Sequence, residues 1–340
     1  MKVTIAIAMY NVAEYIQECV ESALSQDFDD FEVLVCDDCS TDGSADIVRK
    51  GTADAIKMGK LRIITRSENM GVACSRNTAI REANGDYIFF MDGDDCIPQN
   101  AISCLYDEMQ RSSADFVIGN FVRWNGQHGD DGVYSQHSYF NPGVVESDLA
   151  MASWLQVNRT DYFPVGLWGK LYRRDWLLIN KIACNPHHRL VEDIFFSFQV
   201  SLEAKRIATV KDVVYLWRVR EGSAVLRSVS ESYARQYLNV YDACLTKLSE
   251  YTARHPNRII PQEMYSILTN RYLGDLCLKR IVRSDNMSAK AKKDYVNHIA
   301  SITQIGVKAS SLPWRRRMAY YAIATRWRFP LIKLLVKLSS

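Results

Sequence analysis

The sequence predicts an α/β fold: a Rossmann-like, mostly parallel central sheet followed by a helical C-terminal region. Three observations predict it. Short β-branched runs alternate with amphipathic helical patterns over roughly the first hundred residues, as expected for parallel strands joined by right-handed crossovers. Apolar runs end abruptly in polar clusters, most sharply at residues 85–95 (GDYIFFMDGDD), where a buried-strand pattern runs into three carboxylates. After Ser223 the strand patterns stop and long helical ones replace them.

The elements follow in order. Residues 3–9 form a β-branched strand, and 12–25 a helix with Val12, Tyr15, Ile16, Cys19, Val20 and Ala23 near a 3.6-residue period. A second strand at 31–36 ends at Asp37 and Asp38, and a helix over 44–57 follows with its cap region at 41–44. A third strand at 61–64, a helix over 71–83 and a fourth strand at 87–91 complete the alternation. A helix over 98–112 and a strand at 116–120 come next. Residues 124–143 turn to Gly, His, Asn, Asp and Tyr and read as a hairpin or loop insertion. A helix over 146–157, an ordered element from Lys170, an apolar helix over 192–204 and a strand over 208–217 lead to a boundary near 222–230. Helices over 231–250, 261–282 and 290–303 fill the remainder.

Bulk properties narrow the function classes. At 340 residues, 48% hydrophobic and 24% charged, the chain is an ordinary globular protein of two domains or one with an appendage. The net charge of +3 is unevenly placed. Residues 311–340 hold seven basic side chains and no acid, so the rest carries 35 basic (42 − 7) against 39 acidic. That acidic balance argues against nucleic acid as a partner. Nine cysteines, with one CxxC spacing at Cys36 and Cys39 and no second pair to complete a zinc site, indicate free thiols in a reducing compartment. The chain enters a strand directly from Met1, with no signal peptide or apolar run long enough to span a bilayer.

The polar clusters carry the chemistry. Tyr10 and Asn11 follow the first strand, residues 37–44 the second, Asn69 to Gly71 with Arg76 and Asn77 the third, and Asp92, Gly93, Asp94 and Asp95 the fourth. In a parallel sheet these ends share one edge, where such folds bind phosphate ligands. Three carboxylates so close repel one another unless a cation neutralises them, and all-oxygen ligands point to Mg²⁺ or Mn²⁺. Taken alone, the acidic run is also compatible with a solvated turn. The convergence of the clusters describes a nucleotide-diphosphate site with a metal.

The ordered set resembles the family 2 glycosyltransferases of the GT-A fold. The matching pieces are Tyr10-Asn11, Asp37-Asp38 through Ser44, Asn69-x-Gly71 with Arg76-Asn77, Gly85-Asp86-Tyr87, Asp92-x-Asp94-Asp95, Trp168-Gly169-Lys170-Leu171-Tyr172, Glu192-Asp193 and Arg220-x-Gly222-Ser223. They cover roughly residues 1–223. Cys39 departs from the pattern, standing where the family usually has Gly. The resemblance implies a nucleotide-sugar-binding half at 1–110, an acceptor-binding half at 111–225, and a helical region with a basic amphipathic tail at 226–340.

The resemblance also implies roles. Tyr10, Asn11, Asp37, Asp38, Asn69, Arg76, Asp92, Gly93 and Arg220 would bind the nucleotide, with Asp37 and Asp38 on base and ribose, and with Arg76 neutralising phosphate or orienting an aspartate. Asp92, Asp94 and Asp95 would surround Mn²⁺ or Mg²⁺, which two of them touch it being left open. Trp168, Lys170 and Glu192 would shape the sugar and acceptor pocket, and Asp193 would be the base of an inverting transfer. His187 and His188 read as acceptor-loop residues. A UDP-sugar is the implied donor, and a glycan or lipid-linked oligosaccharide of a bacterial surface polysaccharide the implied acceptor, in the cytoplasm. The aromatic, basic tail has the composition of an interfacial helix on an anionic membrane, or of a terminal helix packed on its own domain. Two rivals fit less well: a nucleotidyltransferase would need a Gly-rich basic loop after the first strand, and a receiver-type Mg²⁺-binding module an acidic pair there. An inactive sugar-binding homologue is the third alternative.

Overall fold

The structure is a computed structural model and describes residues 1–125, 133–137, 140–158, 165–188, 191–220, 230–256, 286–292 and 294. The chain divides into two units, Met1–Glu221 and Gly222–Ser340. The first is built on one nine-stranded sheet. Its first half is the alternation β1 (Val3–Met9), α1 (Ile16–Leu24), β2 (Phe31–Asp37), α2 (Ser44–Gly51), α3 (Ala53–Lys57), β3 (Leu61–Thr65), α4 (Val72–Glu82), β4 (Tyr87–Asp92) and α5 (Ala101–Ser112). Its second half is β5 (Phe116–Trp124), β6 (Val133–His137), β7 (Gly143–Glu146), α6 (Ala150–Val157), β8 (Lys170–Arg173), α7 (Arg174–Ile179), α8 (Glu192–Glu203) and β9 (Arg206–Arg218).

The strand order is β3-β2-β1-β4-β8-β5-β9-β7, with β6 paired to β5. β2 and β4 flank β1 in parallel, and β3 continues in parallel from β2. β8 lies antiparallel between β4 and β5, and β9 is parallel to β5. Six strands therefore share one direction, while β6, β7 and β8 oppose it. β1, β2 and β4 are covered on both faces, which explains their continuous apolar sequences. The core runs through Ile5, Ile7, Val33, Val35, Phe89 and Met91 and on to Val117, Leu171 and Tyr215 in the second half.

Several boundaries differ from expectation for identifiable reasons. α1 begins at Ile16 rather than 12: the residues before it form a turn in which the Tyr15 and Ile16 amides both donate to the Val12 carbonyl (2.9 Å each), while the amides of Val12 and Ala13 are taken by Ser44 Oγ (3.0 Å) and Asp42 Oδ2 (2.9 Å). The helix expected over 44–57 breaks into α2 and α3 at Thr52, whose hydroxyl bonds back to the Val48 carbonyl at 2.7 Å. The insertion after β5 contains β6, which returns antiparallel along it. The short elements β7 and α7 had no counterpart in the sequence reading.

In the second unit, α9 (Glu231–Arg254) buries Leu238, Val240, Cys244, Leu248 and Tyr251. The helix expected over 261–282, most of the one expected over 290–303 and the basic tail at 311–340 lie outside the described residues. Among the described residues no helix is long and apolar enough to cross a membrane, and all eight cysteines are free.

Candidate functional site

Register brings the polar clusters to one edge. Met9 pairs with Asp37, and Ala8 pairs with both Cys36 and Asp92, so β1, β2 and β4 end level with one another. The loops beyond them are stitched together. The Asn11 amide donates to Ser40 Oγ (3.1 Å), and Thr41 N–H donates to Asn11 Oδ1 (2.8 Å). Asn11 and Cys39 both hold left-handed backbone, at φ 49° and 65°. Asn tolerates that region; Cys does so at a steric cost, which explains why Gly suits the second position.

Asp37 and Asp38 are buried at the end of β2. Asp37 Oδ1 accepts from the Ser40 amide at 3.0 Å. The Asp38 carboxylate accepts from the amides of Met70 (3.0 Å) and Gly71 (2.6 Å), and the Asn69 side chain donates to its carbonyl at 3.4 Å. Both acids therefore order the rim itself, and Asp38 ties the loop after β3 to the loop after β2. Tyr10, directly after Met9, leaves its ring exposed on that rim.

The acidic turn after β4 separates its three carboxylates. Arg76 Nη2 donates to Asp92 Oδ1 at 2.8 Å, and Arg220 Nε to Asp94 Oδ2 at 2.8 Å. Asp95 departs from the expected set: it is turned inward and nearly fully buried, with Oδ2 accepting from the Tyr215 hydroxyl (2.6 Å) and Oδ1 from the Arg218 amide (2.8 Å). Its oxygens are engaged by the core side of the turn, so the carboxylates left for a cation are Asp92 and Asp94. Burial, then the neighbouring Asp92, push the Asp94 carboxyl above its ordinary pKa. Gly93 is required by space: a Cβ would lie 3.0 Å from the Ala8 carbonyl oxygen and 3.2 Å from Val12.

Two partly exposed carboxylates, each with one oxygen outside its ion pair, fit a hard divalent cation whose coordination is completed by water and phosphate. Among the described residues no group of three or more His, Cys, Asp or Glu side chains could hold a metal by itself.

The amino end of α8 supplies the third part. Arg76 reaches across to it: Nη1 donates to Glu192 Oε1 at 2.5 Å, so one buried guanidinium bridges Asp92 and Glu192. Burial works against its charge, but the two acids hold it firmly protonated. Burial raises Glu192 to about 7 and Asp193 to about 6, in both cases against the opposing pull of Arg76. Lys170, buried at the start of β8, donates to the Gly166 carbonyl, and burial lowers it to about 7 while Asp193 resists. Trp168, half-buried, stacks on Tyr215 at 4.7 Å and 12°.

The structure thus links Asp92, Arg76, Glu192 and, by chain adjacency, Asp193, and separately links Asp94 to Arg220. Tyr10, Asn11, Asp37, Asp38 and Asn69 form the adjoining rim. His188 is buried edge-on against Phe195, while His187 is exposed. Two contributors were absent from the sequence reading. Tyr215 bridges the acidic turn from β9, accepting from the Asp92 amide at 3.1 Å and donating to Asp95. Arg218 donates to the Asp94 carbonyl (2.7 Å) and to Glu18 (2.6 Å) while lying over Trp124. The only advance signal was an Arg-x-Arg spacing at the end of a strand pattern.

Comparison with known proteins places this geometry in context. The family model described as "Glycosyl transferase family 2" matches residues 4–174, half of the chain. The chain is 26% identical over 226 residues to "Glycosyltransferase GlyA" of Streptococcus pneumoniae serotype 4, covering 65% of this chain and 31% of that protein. It is 28% identical over 297 residues to "Poly(ribitol-phosphate) beta-glucosyltransferase" of Bacillus spizizenii, covering 86% of this chain and 43% of that protein. The chain thus spans less than half the length of these two relatives. The crystal structure of S. aureus TarS 1–349 in complex with UDP-GlcNAc superposes with a TM-score of 0.77 at 20% identity, covering 100% of this chain and 91% of that one. At that identity the likeness speaks to the GT-A fold.

Proposed function

The chain belongs to glycosyl transferase family 2, and from that premise we propose that it moves a sugar from a nucleotide-sugar, a UDP-sugar in the first instance, to a hydroxyl of a surface glycan or polyol-phosphate polymer. The observation that carries this reading is the Arg76 bridge. One buried guanidinium joins an acid of the diphosphate side, Asp92, to the acid next to the candidate base, Glu192 beside Asp193. A site that must bring a leaving diphosphate and an attacking hydroxyl to one carbon needs such a link.

In this reading the rim of Tyr10, Asn11, Asp37, Asp38 and Asn69 receives the nucleoside. Asp92 and Asp94 would hold Mn²⁺ or Mg²⁺, which when bound balances negative charge on the diphosphate. Arg220 lies against Asp94 through Nε alone, which leaves its terminal nitrogens for phosphate oxygens. Asp193 takes the proton of the acceptor hydroxyl as its oxygen bonds to the anomeric carbon and the bond to the diphosphate oxygen breaks. That single displacement inverts the anomeric configuration. A carboxylate raised to about 6 is still ionised at neutral pH and is a stronger base than an exposed one. Trp168 offers an aromatic face to the sugar, and Lys170 sets the charge beside Asp193.

The β-linkage in the name of the B. spizizenii relative and the UDP-GlcNAc of the TarS complex support this donor, acceptor and stereochemistry. A cytoplasmic setting, the division into donor and acceptor halves, and membrane contact through residues 311–340 belong to the same proposal. A thermal-shift panel of UDP-, GDP- and dTDP-sugars with and without Mn²⁺ tests it. Stabilisation that needs both a nucleotide and the metal is the expected result, with a β-linked product by NMR. No stabilisation by any pair, or retention of the donor anomer, sinks the reading.

A further inference from the structure

We propose that Tyr215 is a positioning residue for the acidic turn, its hydroxyl holding Asp92 and Asp95 in register while its ring ties that turn to Trp168. The inference rests on the reading of Asp92 and Asp94 given above and goes beyond it. Tyr215 is fully buried in β9, at a position where a phenyl ring would fill the same space. A buried hydroxyl is costly unless it is bonded, and this one is bonded twice. It accepts from the Asp92 amide at 3.1 Å and donates to Asp95 Oδ2 at 2.6 Å. One oxygen atom thereby spans the first and last acids of the turn, from a strand more than a hundred residues downstream.

The rest of that strand end reinforces the grip. Leu216 exchanges amide–carbonyl bonds with Cys96 at 3.2 and 2.9 Å, and the Arg218 amide closes on the other oxygen of Asp95. Asp95 is fixed on both oxygens, so it acts as the post to which the turn is anchored. The Tyr215 ring lies 4.7 Å from Trp168 at 12°, and Trp168 also meets Phe121 edge-on at 4.8 Å. A shift of the turn is therefore felt by the aromatic face offered to the sugar. Without the hydroxyl, the like charges of Asp92 and Asp94 are free to move apart, and two ligands misplaced by a fraction of an ångström bind a cation less well.

The test uses the full chain with Tyr215→Phe and Asp95→Asn. Free Mn²⁺ is followed by electron paramagnetic resonance in the presence of UDP, alongside UDP affinity without metal and thermal midpoints. Tyr215→Phe is expected to raise the Mn²⁺ concentration for half-saturation by about tenfold, with metal-free UDP affinity unchanged. Asp95→Asn, which replaces the charge-assisted bond from the hydroxyl with a weaker neutral one, is expected to give a smaller rise. The double variant should be no worse than Tyr215→Phe alone, because both substitutions act on the same anchor. Wild-type Mn²⁺ affinity in Tyr215→Phe, or effects that add in the double variant, overturns the proposal. Should Tyr215→Phe not fold, an unchanged Mn²⁺ affinity in Asp95→Asn overturns it equally. UDP binding with no metal dependence in the wild type overturns this proposal and the metal reading beneath it; metal-dependent binding beside an unaffected Tyr215→Phe overturns this one alone.

Discussion

Replacing Arg76 with Met keeps the length of the side chain and removes its charge. In the native protein Nη1 donates to Glu192 Oε1 at 2.5 Å and Nη2 to Asp92 Oδ1 at 2.8 Å. Arg76 and Glu192 are each only 6% exposed, so breaking the pair leaves a carboxylate buried without its cation. Such losses cost about 3–5 kcal/mol. Asp92 is partly solvated and adds less. The cost depends on pH in a definite direction. Glu192 already sits at about 7 in the folded protein against 4.5 for an ordinary glutamate, chiefly through burial, with Arg76 opposing the rise. Between those values the folded chain holds the extra proton, so stability falls as pH rises. Without Arg76 the folded value climbs further, and above neutrality the penalty grows by about 1.4 kcal/mol per pH unit. Urea denaturation of wild type and Arg76→Met at pH 6 and pH 8 measures this. The variant should be less stable than wild type at both pH values, and its deficit should be about 1.4 kcal/mol larger at pH 8 than at pH 6. Equal losses at both pH values would refute the burial-and-bridge argument.

Other outcomes follow from the same geometry. Asp193→Asn should abolish transfer while leaving donor affinity within a factor of about two, because it removes the proposed proton acceptor and little volume; a turnover assay beside a binding titration decides it. In the wild type, kcat should rise with pH through about 6 as Asp193 ionises and then level off; a rate independent of pH between 5 and 7 contradicts that assignment. Cys39→Gly should stabilise the protein by roughly 0.5–1 kcal/mol, because the φ of 65° is strained for Cys and free for Gly; a lower thermal midpoint would count against it. Glu32, fully buried, accepts from Arg62 Nε (2.9 Å), the Thr4 hydroxyl (2.8 Å) and the Asn84 amide (2.7 Å). Burial alone would raise its pKa, and these bonds more than reverse that. Its stabilisation is present above the ordinary glutamate range and lost as pH falls through the lowered value, so Glu32→Gln should flatten the acid side of the stability profile.

How much of this was legible in the sequence depends on distance along the chain. The ends of β1, β2 and β4 could be read because each strand carries its own polar cluster, and topology alone lines them up. Asp92 and Asp94 were legible for that reason. Asp95 was not separable from them, because its two partners, Tyr215 and Arg218, lie more than a hundred residues away and carry no local signature of that contact. The turn before α1 was hidden in the same way: Asp42 and Ser44, from another loop, bond the Ala13 and Val12 amides and hold it in place. The Arg76 bridge to Glu192 spans 116 positions. Sequence reading named both residues, Arg76 as a phosphate ligand or the orienter of an aspartate and Glu192 as a pocket residue, but not as a pair. Local pattern placed the candidate ligands; non-local packing separated Asp95 from Asp92 and Asp94.

The central claim is that loops after β1, β2, β3 and β4 jointly hold a nucleoside diphosphate and a divalent cation at one sheet edge. Crystals grown with UDP and Mn²⁺, measured at a wavelength where manganese scatters anomalously, test it most directly. The account predicts one anomalous peak in ligand contact with Asp92 or Asp94 and with both phosphates, the base lying on the Tyr10–Asp38 rim. A peak beside other residues, or a nucleotide seated away from the carboxyl ends of β1, β2 and β4, contradicts it.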